Sequence, residues 1–242
     1  MYLSVVIPAY NEEKNILINL EKLYSYLSNK NYEYEVILVD DGSCDNTVNL
    51  VLKSTLNKLN RLILLKNKSN KGKGYSVKRG ILSSKGSFVL FTDADFSTPI
   101  QEIDKLFSYI NRGFDIVIGS RNKPSSCILE RQPPKRELIG KIFNILVKII
   151  VIKDFSDTQC GFKLFKGDII RKLAKYLKID GFCFDVEILY LAKKSNLKII
   201  EVGIIWKNSL DSKVKVFKSS IDMLLSLFKI RLTSKIPSNL LS

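Results

Sequence analysis

The chain has 242 residues, 45% hydrophobic and 26% charged, an ordinary globular composition that fits one large domain, or one domain plus an appendage. With 39 basic and 24 acidic residues the formal charge is +15, which points to an anionic partner: nucleic acid, a phosphorylated substrate or an anionic membrane surface. Histidine is absent, and Cys44, Cys127, Cys160 and Cys183 are scattered without a C-x-x-C pair, so histidine chemistry is excluded and a zinc site or disulfide framework is unsupported.

The opening "MYLSVVIPAYNEE" lacks the basic start and long apolar run of a signal peptide. Short apolar runs at 3–8, 34–40, 61–65, 87–93 and 114–119 predict strands, near-continuous in character as in a sheet covered on both faces. Amphipathic segments near 12–28, 46–59, 73–84 and 99–111 alternate with them. The last is expected to open on Thr98 as N-cap, with Pro99 at the first helical position and Gln101 completing a capping box. This alternation predicts an α/β fold with a mostly parallel sheet between helices.

Residues 121–136, "RNKPSSCILERQPPKR", read as a mobile basic loop. A helix over 135–153 is expected to gather Ile139, Ile142, Phe143, Leu146, Ile149 and Ile150 on one side. "DTQCGFKLF" (157–165) predicts a loop entering a short strand. Helices follow near 167–177 and 184–194, then a strand at 198–205. The tail 216–232 is amphipathic, with Phe217, Ile221, Leu224, Leu225, Phe228 and Leu232 sharing a face. No stretch reaches the ~20 apolar residues of a spanning helix.

In parallel sheets, ligands bind beyond the carboxyl ends of the strands. There the sequence places "PAYNEE", "DDGSCDN", "KNKSNKGKG", "DADFSTP" and "GSRNKP". Asp93 and Asp95, one residue apart, would point the same way in an extended segment. Two neighbouring carboxylates suit a hard cation, Mg²⁺ or Mn²⁺, that leaves positions open for phosphate oxygens. A solvated turn capping the next helix is the other reading. Gly72 and Gly74 among Lys71, Lys73, Lys78 and Arg79 allow close approach to a phosphate, or form a solvated basic helix start. Asp40 and Asp41 could accept from a base or ribose, or cap a helix. Tyr10 could stack on a base or pack half-buried. Arg121, Lys123, Arg131, Lys135 and Arg136 form a cationic loop, and arginine suits bidentate phosphate contact.

Taken together, "VVIPAYNEE" (5–13), "VDDGSCDNT" (39–47), "NKGKGYSVKRG" (70–80), "TDADFSTP" (92–99), "GSR" (119–121), "DTQCGFKLF" (157–165) and "FDVEILYLA" (184–192) resemble glycosyltransferase family 2, most closely its dolichyl-phosphate glucosyltransferase and polyprenyl-phosphate glycosyltransferase branch. The resemblance implies a GT-A, Rossmann-like fold. It implies nucleotide-sugar contacts from Pro8, Ala9, Tyr10, Asn11, Glu12, Asp40, Asp41, Gly72, Lys73, Asp93 and Ala94, and a Mg²⁺ or Mn²⁺ on Asp93 and Asp95. It places Arg121, Arg131, Lys135 and Arg136 at the acceptor phosphate. Catalytic roles would fall to Asp93, Asp95, Arg121 and Asp185, with Asp157 a second candidate base or an ion-pair partner of the basic loop. Mannose-transferring relatives carry a metal-binding glutamine where this chain has Ser97, which favours a glucosyl donor.

The expected reaction is inverting transfer of a hexose from a nucleotide sugar, UDP-glucose, to a polyprenyl or dolichyl phosphate. GDP-mannose, or a soluble or saccharide acceptor, is the alternative. Residues 1–212 would form the catalytic domain, including the apolar helix 135–153. Residues 213–242 would form a membrane-interface tail. From 207 to 235 there are seven basic and two acidic residues. Attachment is expected to be peripheral, at the cytoplasmic face of an anionic membrane. A nucleotidyltransferase would need a glycine-rich loop after the first strand, and no nucleic-acid-binding module is visible.

Overall fold

The computed structural model describes residues 1–208 and 216–235. Strands β1 (Leu3–Ala9) and β2 (Tyr34–Asp40) are buried at every position. Apolar residues facing both ways along a strand need cover on both sides, and successive side chains provide it here. Leu3, Val5 and Ile7 join one core, while Val6 joins the other.

Around these strands lie β3 (Leu62–Lys66), β4 (Phe88–Thr92), β5 (Ile116–Ser120), β7 (Phe162–Lys166) and β8 (Ile199–Gly203). They form a sheet in the order β3-β2-β1-β4-β7-β5-β8. Every pairing is parallel except those of β7, which runs antiparallel between β4 and β5. A small parallel pair joins β6 (Cys127–Glu130) to β9 (Ile205–Lys207). The segment 121–136 is therefore not wholly a loop. Its "CILE" takes an extended form and hydrogen-bonds to the strand after β8.

One core packs α1 (Ile16–Leu27), α3 (Thr55–Lys58) and α5 (Glu102–Ile110) on the sheet through Leu20, Leu23, Leu56, Ile103 and Leu106. The other holds α4 (Lys73–Ser83), α6 (Pro134–Ile150), α7 (Gly167–Ala174), α8 (Phe184–Lys194) and α9 (Val216–Thr233) through Val77, Val147, Ile170, Leu189 and Leu227.

Three local expectations are corrected. The helix expected over 46–59 is two, α2 (Thr47–Lys53) and α3, because Ser54 is extended (ψ 151°) and its hydroxyl accepts from Asn57 N to start the second. The capping box at Thr98 does not form. Pro99, Ile100 and Gln101 make a turn of i→i+3 bonds, and α5 begins at Glu102. The apolar side of α6 is not one face but two. Phe143 and Val147 are buried with Leu146 and Ile150 packed beside them, while Leu138, Ile142, Ile145 and Ile149 are exposed.

Helix α9 behaves likewise. Leu227 and Ile230, with Met223, pack on the core, and Leu225, Phe228 and Leu232 of the expected apolar face are exposed. The side chains of Phe217 and Ile221 of that face lie outside what the structure describes, as do the tail segments 213–215 and 236–242.

Candidate active site

The expected loops do meet at one edge of the sheet. β4 ends at Thr92, and Asp93 to Phe96 form a turn closed by Phe96 N donating to Asp93 O, 3.1 Å. The two acids are thus brought together by a turn rather than by the pleat of a strand. Ser97 N donates to Asp95 Oδ1 at 3.0 Å, and Asn19 Nδ2 to Ala94 O at 2.9 Å, so both ends of the turn are tied. Burial pushes the Asp95 carboxyl up, and the neighbouring charge of Asp93 pushes it further.

Lys73, the first residue of α4, places Nζ 2.7 Å from Asp93 Oδ1. Burial alone would weaken this ammonium. Asp93, and behind it Asp185, reverse that and hold its pKa above the usual lysine value. The Lys73 ammonium therefore stands where a cation is favoured, against a buried oxygen of Asp93. A carboxylate that already attracts a cation, a second carboxylate beside it and an open polar edge suit a hard divalent cation. Among the described residues no third Asp, Glu, Cys or His joins them, so water and phosphate oxygens would complete the shell.

Gly161 fixes the geometry from the other side. Its carbonyl accepts from Asp93 N at 3.2 Å, and a Cβ at this position would collide with the Asp93 carboxylate. The glycines of "GKG" have a related purpose. Gly72 has φ +105°, and side chains at Gly72 or Gly74 would run into the backbone at 179–181. They let α4 start against that segment, which sets where Lys73 points.

Asp41 anchors the same loop. Its carboxylate accepts from Asn67 Nδ2 (2.7 Å), Lys71 N (2.9 Å) and Gly72 N (2.9 Å) and is buried. Asp40, also buried, accepts from Ser43 N at 3.3 Å. Pro8 and Ala9 end β1 nearby, and Tyr10 is exposed. Asn11 is left-handed (φ 55°), and its side chain accepts from Cys44 N at 2.8 Å while Glu12 N donates to Thr47 Oγ1 at 2.7 Å. These bonds hold "PAYNE" against "DDGSCDNT".

Across the edge, Arg121 Nε and a terminal nitrogen each lie 2.7 Å from Asp157, one on each carboxylate oxygen. Burial would raise Asp157, but Arg121 outweighs it and holds the acid below the usual carboxylate range. Of the two roles open to Asp157, ion-pair partner is the one the geometry supports. Glu201 holds the backbone here, accepting from Ser156 Oγ (2.6 Å) and Asp157 N (2.7 Å), and Trp206 lies under the Arg121 guanidinium at 5.5 Å. Arg136 is half-buried. Burial and then the charge of Arg121 lower its pKa, with Asp95 opposing, so it sits within the same field. Arg131 and Lys135 are exposed on the approach.

Asp185 is buried and its Oδ1 meets Lys163 Nζ at 2.5 Å, with Lys163 fully enclosed. Burial raises the Asp185 carboxyl, and Lys163 and Lys73 oppose that. An acid held this way stands behind Lys73 rather than open to a substrate. Lys163, Gly161, Glu201 and Trp206 were not singled out from sequence. Only Lys163 carries a visible signal, a lone cation in the apolar run "GFKLF".

This edge has acids at the centre, an anchored loop on one side and arginines on the other, a set of groups that suits phosphate chemistry. The chain belongs to glycosyl transferase family 2, whose model matches residues 4–174. It is a glycosyltransferase with a GT-A fold. It is 38% identical to the dolichyl-phosphate beta-glucosyltransferase of Dictyostelium discoideum, covering 96% of this chain and 74% of that one. The Saccharomyces cerevisiae and Homo sapiens enzymes of that name are 37% and 34% identical, over 96% and 95% of this chain and 75% of each relative. Among solved structures, the glucosyl-3-phosphoglycerate synthase of Mycobacterium tuberculosis, in complex with Mn²⁺, UDP and glucosyl-3-phosphoglycerate, has TM-score 0.65 at 19% identity, covering 94% of this chain and 80% of that one. The mannosyl-3-phosphoglycerate synthase of Rubrobacter xylanophilus gives 0.65 at 14%, covering 96% and 74%.

Proposed function

We propose that the protein transfers glucose from UDP-glucose to dolichyl phosphate, with inversion at the anomeric carbon and a divalent metal bound by Asp93 and Asp95. The observation that carries this is the Asp93–Asp95 turn, two carboxylates brought together beside the Lys73 ammonium and facing a cationic patch built on Arg121 and Arg136. The names of the relatives favour the glucosyl donor and the dolichyl acceptor.

The residues divide the work. "PAYNE", Asp40 and the loop anchored by Asp41 form the nucleotide cradle. The metal, when bound, offsets charge on the departing diphosphate. Lys73 supplies a second, fixed cation on the same side. Arg121, held by Asp157, and Arg136 orient the acceptor phosphate for in-line attack. A phosphate monoester has a second pKa of ~6, so its oxygen is already a nucleophile at neutral pH. The new bond forms from that oxygen to the anomeric carbon as the bond to UDP breaks. No general base is needed, which agrees with the sealed position of Asp185.

The lipid acceptor gives the exposed apolar stripes a purpose. Leu138, Ile142, Ile145 and Ile149 on α6, with Leu225, Phe228 and Leu232 on α9, would enter the membrane interface at the cytoplasmic face. Among the described residues no helix is long and apolar enough to cross a membrane.

The test is transfer from radiolabelled UDP-glucose and GDP-mannose to dolichyl phosphate, with and without Mn²⁺ or Mg²⁺. Transfer from UDP-glucose, lost on chelation, is expected. Preference for GDP-mannose or for a soluble sugar acceptor would overturn the reading.

A further inference from the structure

The far end of α6 holds a cavity that the transfer reaction does not use. It has a volume of about 390 Å³ and lies between the last turns of α6, α8 and α9. It is set off from the acceptor-side Arg136, since Lys148 stands roughly 18 Å from it along α6 at 1.5 Å per residue, while its other wall, at Asp154, lies three residues before Asp157. Five cations line it, Lys148, Lys153, Lys193, Lys194 and Arg231, against one acid, Asp154. Lys193 approaches Asp154 at 3.7 Å. Among the described residues, no ion pair engages the other four cations.

Basic residues often gather at helix C-termini to complement the macrodipole. Each terminus carries about half a negative charge, felt within its last turn. Three termini therefore account for roughly 1.5 charges. The lining carries a net charge of +4, so more than half of it is left over.

The rim identifies the ligand. Ile149, 76% exposed, is part of the lining, and Leu232, 73% exposed, follows Arg231 directly. The cavity thus opens where the two exposed apolar stripes end. A small soluble anion has no use for such a rim, whereas a phospholipid sets its phosphate in a basic pocket and its acyl chains along the apolar border.

We propose that this cavity binds the headgroup of an anionic phospholipid of the surrounding bilayer, at a site separate from the acceptor phosphate. The inference rests on the reading of the α6 and α9 stripes as the membrane face. It would make attachment selective for lipid composition and would pin the orientation of the helix pair on the leaflet.

The test uses flotation of the full chain with vesicles of phosphatidylcholine alone, or with added phosphatidylserine. The wild type should prefer the anionic vesicles. The exposed-site variant Lys153→Ala/Lys194→Ala/Arg231→Ala should lose most of that preference, roughly 100-fold in partition constant at about tenfold per 1.4 kcal/mol and ~1 kcal/mol per cation. An equal loss of charge elsewhere, Lys22→Ala/Lys53→Ala/Lys85→Ala, should lose little. Both variants should melt near the wild type and transfer normally to dolichyl phosphate in detergent. Equal binding of the wild type to both vesicles, retention of the preference by the first variant, or an equal loss in the second would overturn the proposal. So would wild-type-specific thermal stabilisation by inorganic phosphate alone matching that by the anionic vesicles. Failure of glucosyl transfer itself would strike the proposed reaction and leave the vesicle result standing.

Discussion

Arg121 meets Asp157 side-on, with Nε and one terminal nitrogen each 2.7 Å from a different carboxylate oxygen. The backbone N–H of Arg121 also donates to Asp157, at 2.9 Å. Both ends of the arginine are therefore set by one acid. Half of the guanidinium is spent on Asp157, which leaves the other terminal nitrogen for the acceptor phosphate of the proposed reaction.

That pairing has a pH signature. Asp157 titrates below the usual range in the fold and near 4 in the unfolded chain. A depressed acid stabilises the fold above its unfolded pKa, and the contribution drains away as pH falls from ~4 toward the folded value. Asp157→Asn should therefore cost about 3 kcal/mol at neutral pH, where it leaves Arg121 half-buried and unpaired. The deficit should shrink as both proteins are titrated below ~4. Urea unfolding across that range checks it, and a deficit independent of pH would refute it.

Gly161→Ala should fold and fail to work. Its added methyl occupies the space of the Asp93 carboxylate. Displacing a reacting group by about 1 Å can cost roughly 100-fold in rate. The variant should keep a near-native melting temperature while kcat/KM falls by about that factor. Normal activity would show that Asp93 does not act from its present position.

Lys73→Met separates two cations that share one oxygen. Lys73 sits where it repels an incoming metal, so its removal should tighten Mn²⁺ binding, measured by calorimetry. Transfer should nevertheless slow, by roughly 10- to 100-fold, because the proposed reaction loses the fixed charge beside its departing diphosphate. Weaker metal binding in this variant would mean that Lys73 builds the seat rather than competing for it.

Lys163→Met should be among the most destabilising single changes. It strands Asp185 in the core with Lys73 as the remaining cation, and breaking a buried pair costs roughly 3–5 kcal/mol. Adding Asp185→Leu should recover part of that loss, since an apolar pair needs no partner. A double-mutant cycle with no coupling would contradict the pairing.

The two sides of α6 should respond oppositely. Ile145→Glu changes an exposed residue and should alter stability by no more than about 0.5 kcal/mol while weakening vesicle binding. Val147→Ala removes buried methyl groups and should cost about 1–3 kcal/mol with binding unchanged.

How much of this was legible in the sequence varied with the kind of interaction. The strands of the main sheet were, because burial on both faces leaves an unbroken apolar run in the chain itself, whereas the exposed β6 left no such run. The split at Ser54 was not, since a serine at that spacing suits either a helix interior or a cap. The acids, the "GKG" loop and the cationic segment were visible as local patterns. Their partners were harder to see. Gly161 lies 68 positions from Asp93, and Asp157 lies 36 from Arg121. Pairing over such separations is written in topology, not in spacing. The doubled apolar character of α6 looks like a single face in the sequence, because periodicity reports that residues are apolar, not which of them find a neighbour.

The reversed strand β7 has an evolutionary consequence. Parallel strands reach the working edge only as they end, so their loops there continue into the next helix. β7 reaches it as it begins, at Phe162, so the stretch from 121 to 161 both leaves and returns at that edge. It behaves as a cassette. Its length and composition can change without altering the order of the first four strands, which carry the proposed sugar-nucleotide cradle. Under the proposed reaction, a lineage could exchange one acceptor for another by rewriting this insert while keeping its donor, provided that Gly161 still meets Asp93 and that β6 and α6 keep their places against β9 and α9.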